Sequence, residues 1–333
     1  MYGAIFFPSL FDERFCRVRS IGIDIGGTKI AGALVDERGL IMREVRQPTP
    51  AEHPRLIEDA VVEMTRALSD GETVVGVGVA AAGFIDAAQS TVYYAPNIDW
   101  RNEPLRSKLE ARLSMPVLIE NDANAAGWAE FRYGAGRSVS DMVMMTIGTG
   151  VGGAIVTNGR LFRGGFGVGG ELGHMRVVPD GLLCGCGAHG CIEQYGSGLA
   201  LLRFANELAD EGGIGQGLAD RRRVGGGRLT GSDVSALVMA EDPGALLAIE
   251  RLGSWIGQAC ASLAAILDPH IFVVGGGVAQ AGESLLKPIR RAFLESLPAR
   301  GYHPEAEFRI AELVNNAGVV GAADLARLHA LSS

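Results

Sequence analysis

Two segments of this chain repeat one arrangement, and that repetition limits the fold more than any other feature. Ile21-Gly22-Ile23-Asp24 reads as an apolar strand, Gly26-Gly27-Thr28-Lys29 follows it, and Ile30 to Val35 is strand-like again. Farther on, Met142 to Ile147 passes through Gly148-Thr149-Gly150-Val151-Gly152-Gly153 into Ala154 to Thr157. A Walker loop or a Rossmann turn needs a helix after its glycines, whereas a strand follows both of these. Each hairpin has backbone N–H groups able to face phosphate, and the first adds the Thr28 hydroxyl. Either one alone is also a plain glycine turn. As a pair, one per half, they point to an internally duplicated fold with a phosphate loop in each half.

Between the hairpins the chain alternates strands and helices. Ile41 to Gln47 reads as a third strand. Pro54 opens a helix whose Ile57, Val61, Met64 and Leu68 recur at helical spacing and are core positions. Val74 to Val79 is a buried strand that ends in Ala80-Ala81-Ala82-Gly83, where small residues allow a ligand to approach the backbone. Asn97 falls in a loop, as turn chemistry or as a ligand contact. Pro116 to Ile119 is a short strand, and Glu120-Asn121-Asp122 then enters a helix. Asp122 at that junction is either an N-cap or a general base on a cleft floor. Asn121 beside it offers the donor and acceptor that a sugar hydroxyl needs.

The second half carries a different signal. Cys184, Cys186 and Cys191 fall within eight residues, with His174 ten residues upstream. Three thiolates and an imidazole complete a closed tetrahedral Zn²⁺ site, and Gly185, Gly187 and Gly190 let the backbone turn the sulfurs inward. Buried free thiols or a disulfide are the competing readings; short spacing without a secretory signal favours metal. No position is left open for water, so the metal is expected to be structural. Glu171, the free edge of His174 and Glu193 are then three polar groups fixed around one rigid knot, suited to a hydroxyl-rich ligand. Leu199 to Ala209 reads as helix, and Glu211 to Ser232 as a glycine-rich loop in which Arg221-Arg222-Arg223 is solvated. Asp242-Pro243 caps a long helix to Leu267, Ile271 to Val274 is a strand ending in Gly275-Gly276-Gly277, and Phe308 to Ala311 is a last strand. The final helix, Ala317 to Leu331, is expected to fold back on the first domain.

Composition excludes several classes. A net charge of −8 leaves no electrostatic footprint for nucleic acid or an anionic membrane. No apolar run has the length of a transmembrane helix. The apolar patch Ala4 to Leu10 is broken by Pro8 and followed by Asp12 and Glu13, which argues against a signal peptide and for a reducing cytoplasmic location. A chain of 333 residues accommodates two domains.

Taken together, these stretches resemble the ROK family of repressors and sugar kinases, of the actin-like ATPase fold. The most specific parts are Glu171-Leu172-Gly173-His174 and the run Cys184 to Glu193. Ala95 to Trp100, Glu120 to Ala126 and Val177 to Leu183 are similar to the glucokinases of actinobacterial type. The resemblance implies an α/β, two-domain hexokinase or ribonuclease H-like fold, a duplicated βββαβαβα core with an interdomain cleft. Residues 1–19 would be an extension, 20–136 with 318–331 a smaller lobe, and 137–317 a larger lobe with the zinc site. It implies ATP-dependent phosphorylation of glucose at its 6-hydroxyl, with Asp122 as general base. Asn121, Glu171, His174 and Glu193 would bind the sugar, helped by Gly83 and Asn97. Asp24 would hold Mg²⁺ through water; Gly26, Gly27, Thr28, Lys29, Gly148, Thr149 and Gly150 would cradle the phosphates of ATP; Gly275, Gly276 and Gly277 would line the adenosine. His174, Cys184, Cys186 and Cys191 would bind Zn²⁺.

The rivals are a kinase for N-acetylmannosamine, N-acetylglucosamine, fructose or allose, polyphosphate as the donor, and a sugar-responsive repressor. A repressor needs a helix-turn-helix module, and the roughly twenty residues before the first strand lack the length and basic character of one. Relatives suggest a homodimer or homotetramer.

Overall fold

The computed structural model describes residues 18–50, 53–96 and 98–332. The expected extension up to residue 17 and Asn97 lie outside the described residues. In chain order, strands β1 (Arg19–Ile25), β2 (Lys29–Val35) and β3 (Ile41–Pro48) lead into helix α1 (Pro54–Ser69) and β4 (Val74–Ala81). The short strands β5 (Phe84–Ile85), β6 (Val92–Tyr94) and β7 (Arg101–Glu103) precede α2 (Leu105–Leu113), β8 (Val117–Asn121) and α3 (Asp122–Tyr133). Then come β9 (Met142–Ile147), β10 (Val151–Thr157), β11 (Arg160–Leu161), α4 (Glu193–Gly196), α5 (Gly198–Glu211), α6 (Gln216–Val224), α7 (Gly231–Met239) and α8 (Pro243–Leu267). The chain closes with β12 (Ile271–Gly275), α9 (Glu283–Ser296), β13 (Glu307–Ile310) and α10 (Ala317–Ser332).

Two five-stranded sheets follow, ordered β3-β2-β1-β4-β8 and β11-β10-β9-β12-β13. In each, an antiparallel meander of three strands is extended by two parallel strands. This duplicated order is what the paired hairpins predict, and it agrees with the actin-like ATPase fold that the resemblance implies. Strands β5 to β7 form a small separate sheet that alternation did not reveal, because each has only two or three residues.

The first sheet buries Ile21, Ile23 and Ile25 against α1, whose Ile57, Val61, Met64 and Leu68 are all buried as their spacing predicts. Each such side chain contributes roughly 1.5–3 kcal/mol. On its other face lies α10, packed against β1 and β4. Glycine makes that approach possible: a Cβ at Gly22 would sit 1.8 Å from the Val319 carbonyl oxygen, and one at Gly78 1.9 Å from that of Ala322. Helix α3 leaves the first sheet but packs on β10 of the second, with the Gly127 position against Ala154. The two sheets thus exchange helices, and the space between them is the cleft.

One stretch departs from expectation. Residues 211–232 hold α6 and the start of α7 rather than a glycine-rich loop. Leu218 anchors α6 in the core, and the three arginines are paired rather than free: Arg221 with Asp233, Arg222 with Asp210, Arg223 with Asp220. Thr230 and Asp233 close a reciprocal cap on α7. The polar face concealed the helical period.

Candidate active site

Parallel pairing of β4 with β8 sets Ala81 beside Asn121, so the ends of both strands reach the cleft together. Asn121 is the N-cap of α3: its Oδ1 accepts the Asn124 N–H at 3.0 Å, and its Nδ2 donates to the Gly83 carbonyl at 3.1 Å. The capping duty considered for Asp122 therefore falls to its neighbour, and Asp122 is the first residue of the helix. Its Oδ1 accepts only a short-range bond from the Ala123 N–H. Solvent reaches Asp122 through the cleft, while protein encloses it on its other sides; that burial raises its carboxyl above the ordinary value.

Asp122 lines a cavity of about 580 Å³ with Asp24, Gly26, Lys29, Gly83, Asn121, Gly148, Gly150, Glu171, His174, Glu193 and Gly276. Both hairpins and the Glu171–Glu193 segment therefore meet one cleft. Burial, and then the like charge of Asp122, push Asp24 up to about 6, against the opposing Lys29. Burial likewise raises Glu171, opposed by His174 and supported by Asp122 and Glu193. Four carboxylates crowded into one cleft are a poor arrangement for stability and a good one for chemistry.

The Glu171–His174 turn is docked on the second hairpin: Leu172 fills the space beside Gly153, and a Cβ at Gly173 would sit 2.0 Å from the Val151 carbonyl oxygen. Glu193 reaches the same hairpin, its Oε2 accepting the Val151 N–H at 3.2 Å. Between these anchors lies the cysteine loop, tied by the Cys184 N–H to the Ala188 carbonyl (2.8 Å) and the Gly187 N–H to the Cys184 carbonyl (2.9 Å). Gly190 combines φ +77° with a position where any Cβ would lie 1.7 Å from the Val178 carbonyl oxygen, so only glycine fits.

One ligand atom from each of His174, Cys184, Cys186 and Cys191 lies within 4.8 Å of the others. Cys184 Sγ is 3.7 Å from His174 Nδ1, and Cys186 Sγ is 3.7 Å from Cys191 Sγ. A tetrahedral Zn²⁺ with bonds of about 2.3 Å sets sulfurs roughly 3.8 Å apart, so the set fits the metal. A disulfide would need about 2.05 Å, which disposes of that reading for this pair.

A second cavity, about 500 Å³, is lined by Gly148, Thr149, Leu199, Leu202, Ser232, Val278 and Gly277. It adjoins the first at Gly148. Sequence reasoning missed Leu199 and Leu202 here, because a leucine on a helix carries no signature of ligand contact. Gly27 and Thr28 are exposed at the tip of the first hairpin. Gly275 lies inside β12, packed against Met144 and Ala311, and lines neither cavity. A larger depression of about 1060 Å³ around His270 and His303 contains none of these groups.

Comparison with known proteins places these features in a family. The chain is 46% identical to a ROK family glucokinase from Streptomyces griseus, solved in complex with glucose and AMPPNP; the match covers 93% of this chain and 99% of that one, with a TM-score of 0.82. It is 44% identical to the glucokinase of Streptomyces coelicolor over 92% of this chain and 97% of that protein. The xylose repressor of Bacillus spizizenii is 29% identical over 81% of this chain and 67% of its own length. The ROK family pattern matches residues 20–329, and the chain belongs to the ROK family.

Proposed function

We propose that the protein is an ATP-dependent glucokinase, transferring the γ-phosphoryl group of ATP to the 6-hydroxyl of glucose. The observation that carries this reading is the convergence of Asp122, both glycine hairpins and the Glu171–His174–Glu193 group on one cleft. The likeness to glucokinases of two Streptomyces species supports it.

Asp122 is the general base. Its raised carboxyl value makes it a better proton acceptor than a free aspartate, and it takes the hydroxyl proton as attack proceeds. Phosphoryl transfer has a loose transition state, so the remaining work is alignment and charge stabilisation. Glu171, His174, Glu193 and Asn121 orient the sugar hydroxyls, helped by the Gly83 backbone, and the family resemblance adds Asn97 to the set. Gly26 to Lys29 and Gly148 to Gly150 face the phosphates, and the adjoining cavity at Gly277 takes the nucleoside. Mg²⁺, bound near Asp24 through water, would neutralise phosphate charge. Zn²⁺ at His174, Cys184, Cys186 and Cys191 would supply a rigid node. With Nδ1 committed to that node, the other ring nitrogen of His174 is an N–H donor at neutral pH. Cysteines held by a metal rather than in disulfides suit a reducing cytoplasm. We further read residues 20–136 with 318–331 as one lobe and 137–317 as the other, in a dimer or tetramer.

The test is formation of the sugar phosphate from glucose, mannose, fructose and the N-acetylhexosamines, with ATP or polyphosphate as donor. Preference for glucose and ATP is the expected result; turnover confined to a hexosamine, or none with any sugar, sinks the assignment. Replacing Cys186 with Ser is expected to lower bound zinc and glucose affinity together, by about 10- to 100-fold in affinity. Unchanged glucose binding in the zinc-free variant would break that link.

A further inference from the structure

The chain passes between the two sheets twice, outward through residues 134–141 and back through 311–316. Both passages are held by one side chain. Glu130, at the end of α3, is fully buried. Its Oε2 accepts the Ala135 N–H at 2.9 Å on the outward passage and the Glu312 N–H at 3.1 Å on the return. Its Oε1 accepts the Leu313 N–H at 2.7 Å. Arg309 in β13 ties the outward passage to the strand from which the return passage leaves, its Nη1 donating to the Ala135 carbonyl at 2.9 Å, and at the surface Arg137 pairs with Glu312 across the passages at 3.2 Å. Gly134 is needed beside the carboxylate, since a Cβ there would lie 2.0 Å from Glu130 Oε2.

The residue after this junction is under strain. Val314 has φ +46°, an uncommon conformation for a β-branched side chain, and is 60% exposed. With Asn315 it forms part of the cleft wall beside Asp24 and Gly318. At the other end of α3, eight residues before Glu130, stands Asp122. Along a helix that is about 12 Å. One rigid element therefore carries the proposed base at its start and grips both inter-sheet passages at its end.

We propose that Glu130 is the pin of the hinge between the two sheets: a positioning residue, remote from substrate, through which both passages turn as one unit when the cleft closes over sugar. A carboxylate suits the task because its two oxygens accept three N–H groups from separate segments here, whereas an amide offers only one acceptor oxygen and a hydroxyl only one oxygen in all. Rotation about the pin moves Val314 and Asn315 relative to Asp122, so the hinge sets the width of the site. This inference rests on the reading of the cleft as a hexose site.

Glu130→Gln keeps the side chain's shape and turns one acceptor oxygen into a donor that meets N–H groups. The measurements are the radius of gyration by X-ray scattering with and without glucose, together with kcat and KM. Wild-type protein is expected to compact on glucose. The folded variant is expected to lose at least half of that compaction and about tenfold in kcat/KM, chiefly through KM. A merely structural role would lower Tm and leave KM and compaction unchanged in the folded protein, and that result overturns the proposal. If Glu130→Gln does not fold, Arg309→Ala carries the test, with a smaller loss of compaction and a two- to threefold rise in KM, about what one peripheral contact gives. Unaltered compaction and KM in that variant overturn the pin. Wild-type protein that phosphorylates glucose without compacting also overturns it, whereas protein that neither phosphorylates nor compacts overturns the functional reading instead.

Discussion

The two glycine hairpins look alike in sequence and differ in what surrounds them. In the first, Ile25 pairs with Ile30 across a four-residue turn closed by the Gly26 N–H on the Lys29 carbonyl at 3.0 Å. In the second, Ile147 pairs with Val151 across three residues, closed by the Gly148 N–H on the Gly150 carbonyl at 3.0 Å. Two residues before the first turn stands Asp24; at the matching position before the second stands Thr146. Asp24 lies against Gly318 in the first turn of α10, and a Cβ there would come within 2.6 Å of its Oδ2. The second hairpin has no acid of its own and receives one from elsewhere, Glu193, whose Oε2 would lie 2.4 Å from a Cβ at Gly150. A duplicated frame has thus been given one half with its own carboxylate in the cleft and one half clamped by Glu193 at the end of the cysteine segment. The repeated part is backbone geometry; the divergent part is charge.

This asymmetry is open to direct attack. Asp122 faces both hairpins, so its replacement by Asn sets the scale, with kcat expected to fall by about 10²–10⁴ and sugar affinity to change less. Near-normal turnover would remove it from the chemistry. The sign of its stability effect is opposite. Its carboxyl value is raised on folding, so wild-type stability declines as pH rises from the unfolded value through the folded one, and the cost persists above it. Asp122→Asn lacks that cost and is expected to melt higher than wild type at pH 7, by calorimetry.

Asp24→Asn is expected to cost about 10² in kcat, the usual toll of one electrostatic group, while Thr146→Val at the equivalent place costs at most about twofold. Equal losses at the two positions would erase the distinction drawn between the hairpins. For the glycines, Gly150→Ala displaces Glu193 and is expected to raise sugar KM about tenfold, whereas Gly26→Ala acts on the KM for ATP. Steady-state kinetics with each substrate varied decides this; a Gly150→Ala effect on ATP alone contradicts the clamp. The smallest effect is on pH. Since the proposed base would work deprotonated and burial raises both Asp24, to about 6, and Asp122, kcat/KM is expected to decline on the acid side earlier than a free aspartate would dictate. A flat profile down to pH 4.5 speaks against the pair.

Much of the frame was legible because it depends on local periodicity. The strand–glycine–strand hairpins, the α1 stripe of Ile57, Val61, Met64 and Leu68, and the Asp242 cap of α8, whose Oδ1 accepts the Ala245 N–H at 2.9 Å, all follow from short-range rules. The clustering of the three thiols with His174 was legible for a similar reason, since Cys184, Cys186 and Cys191 are close in sequence and had only to be turned inward. Helix α6 was not, because its one buried anchor, Leu218, leaves no stripe to count. Strands β5 to β7 were too short to alternate.

By itself, then, the order of residues determined the duplicated hairpins, the thiol and imidazole set, and the carboxylate at the start of α3. Only the tertiary structure decided that Asn121, not Asp122, caps that helix, that α3 packs on the second sheet, and that Glu130 meets Ala135 and Leu313 together. The physical reason is sequence separation. Periodicity and capping act over a few residues, whereas Glu130 and Leu313 are 183 positions apart and meet only after both sheets have formed.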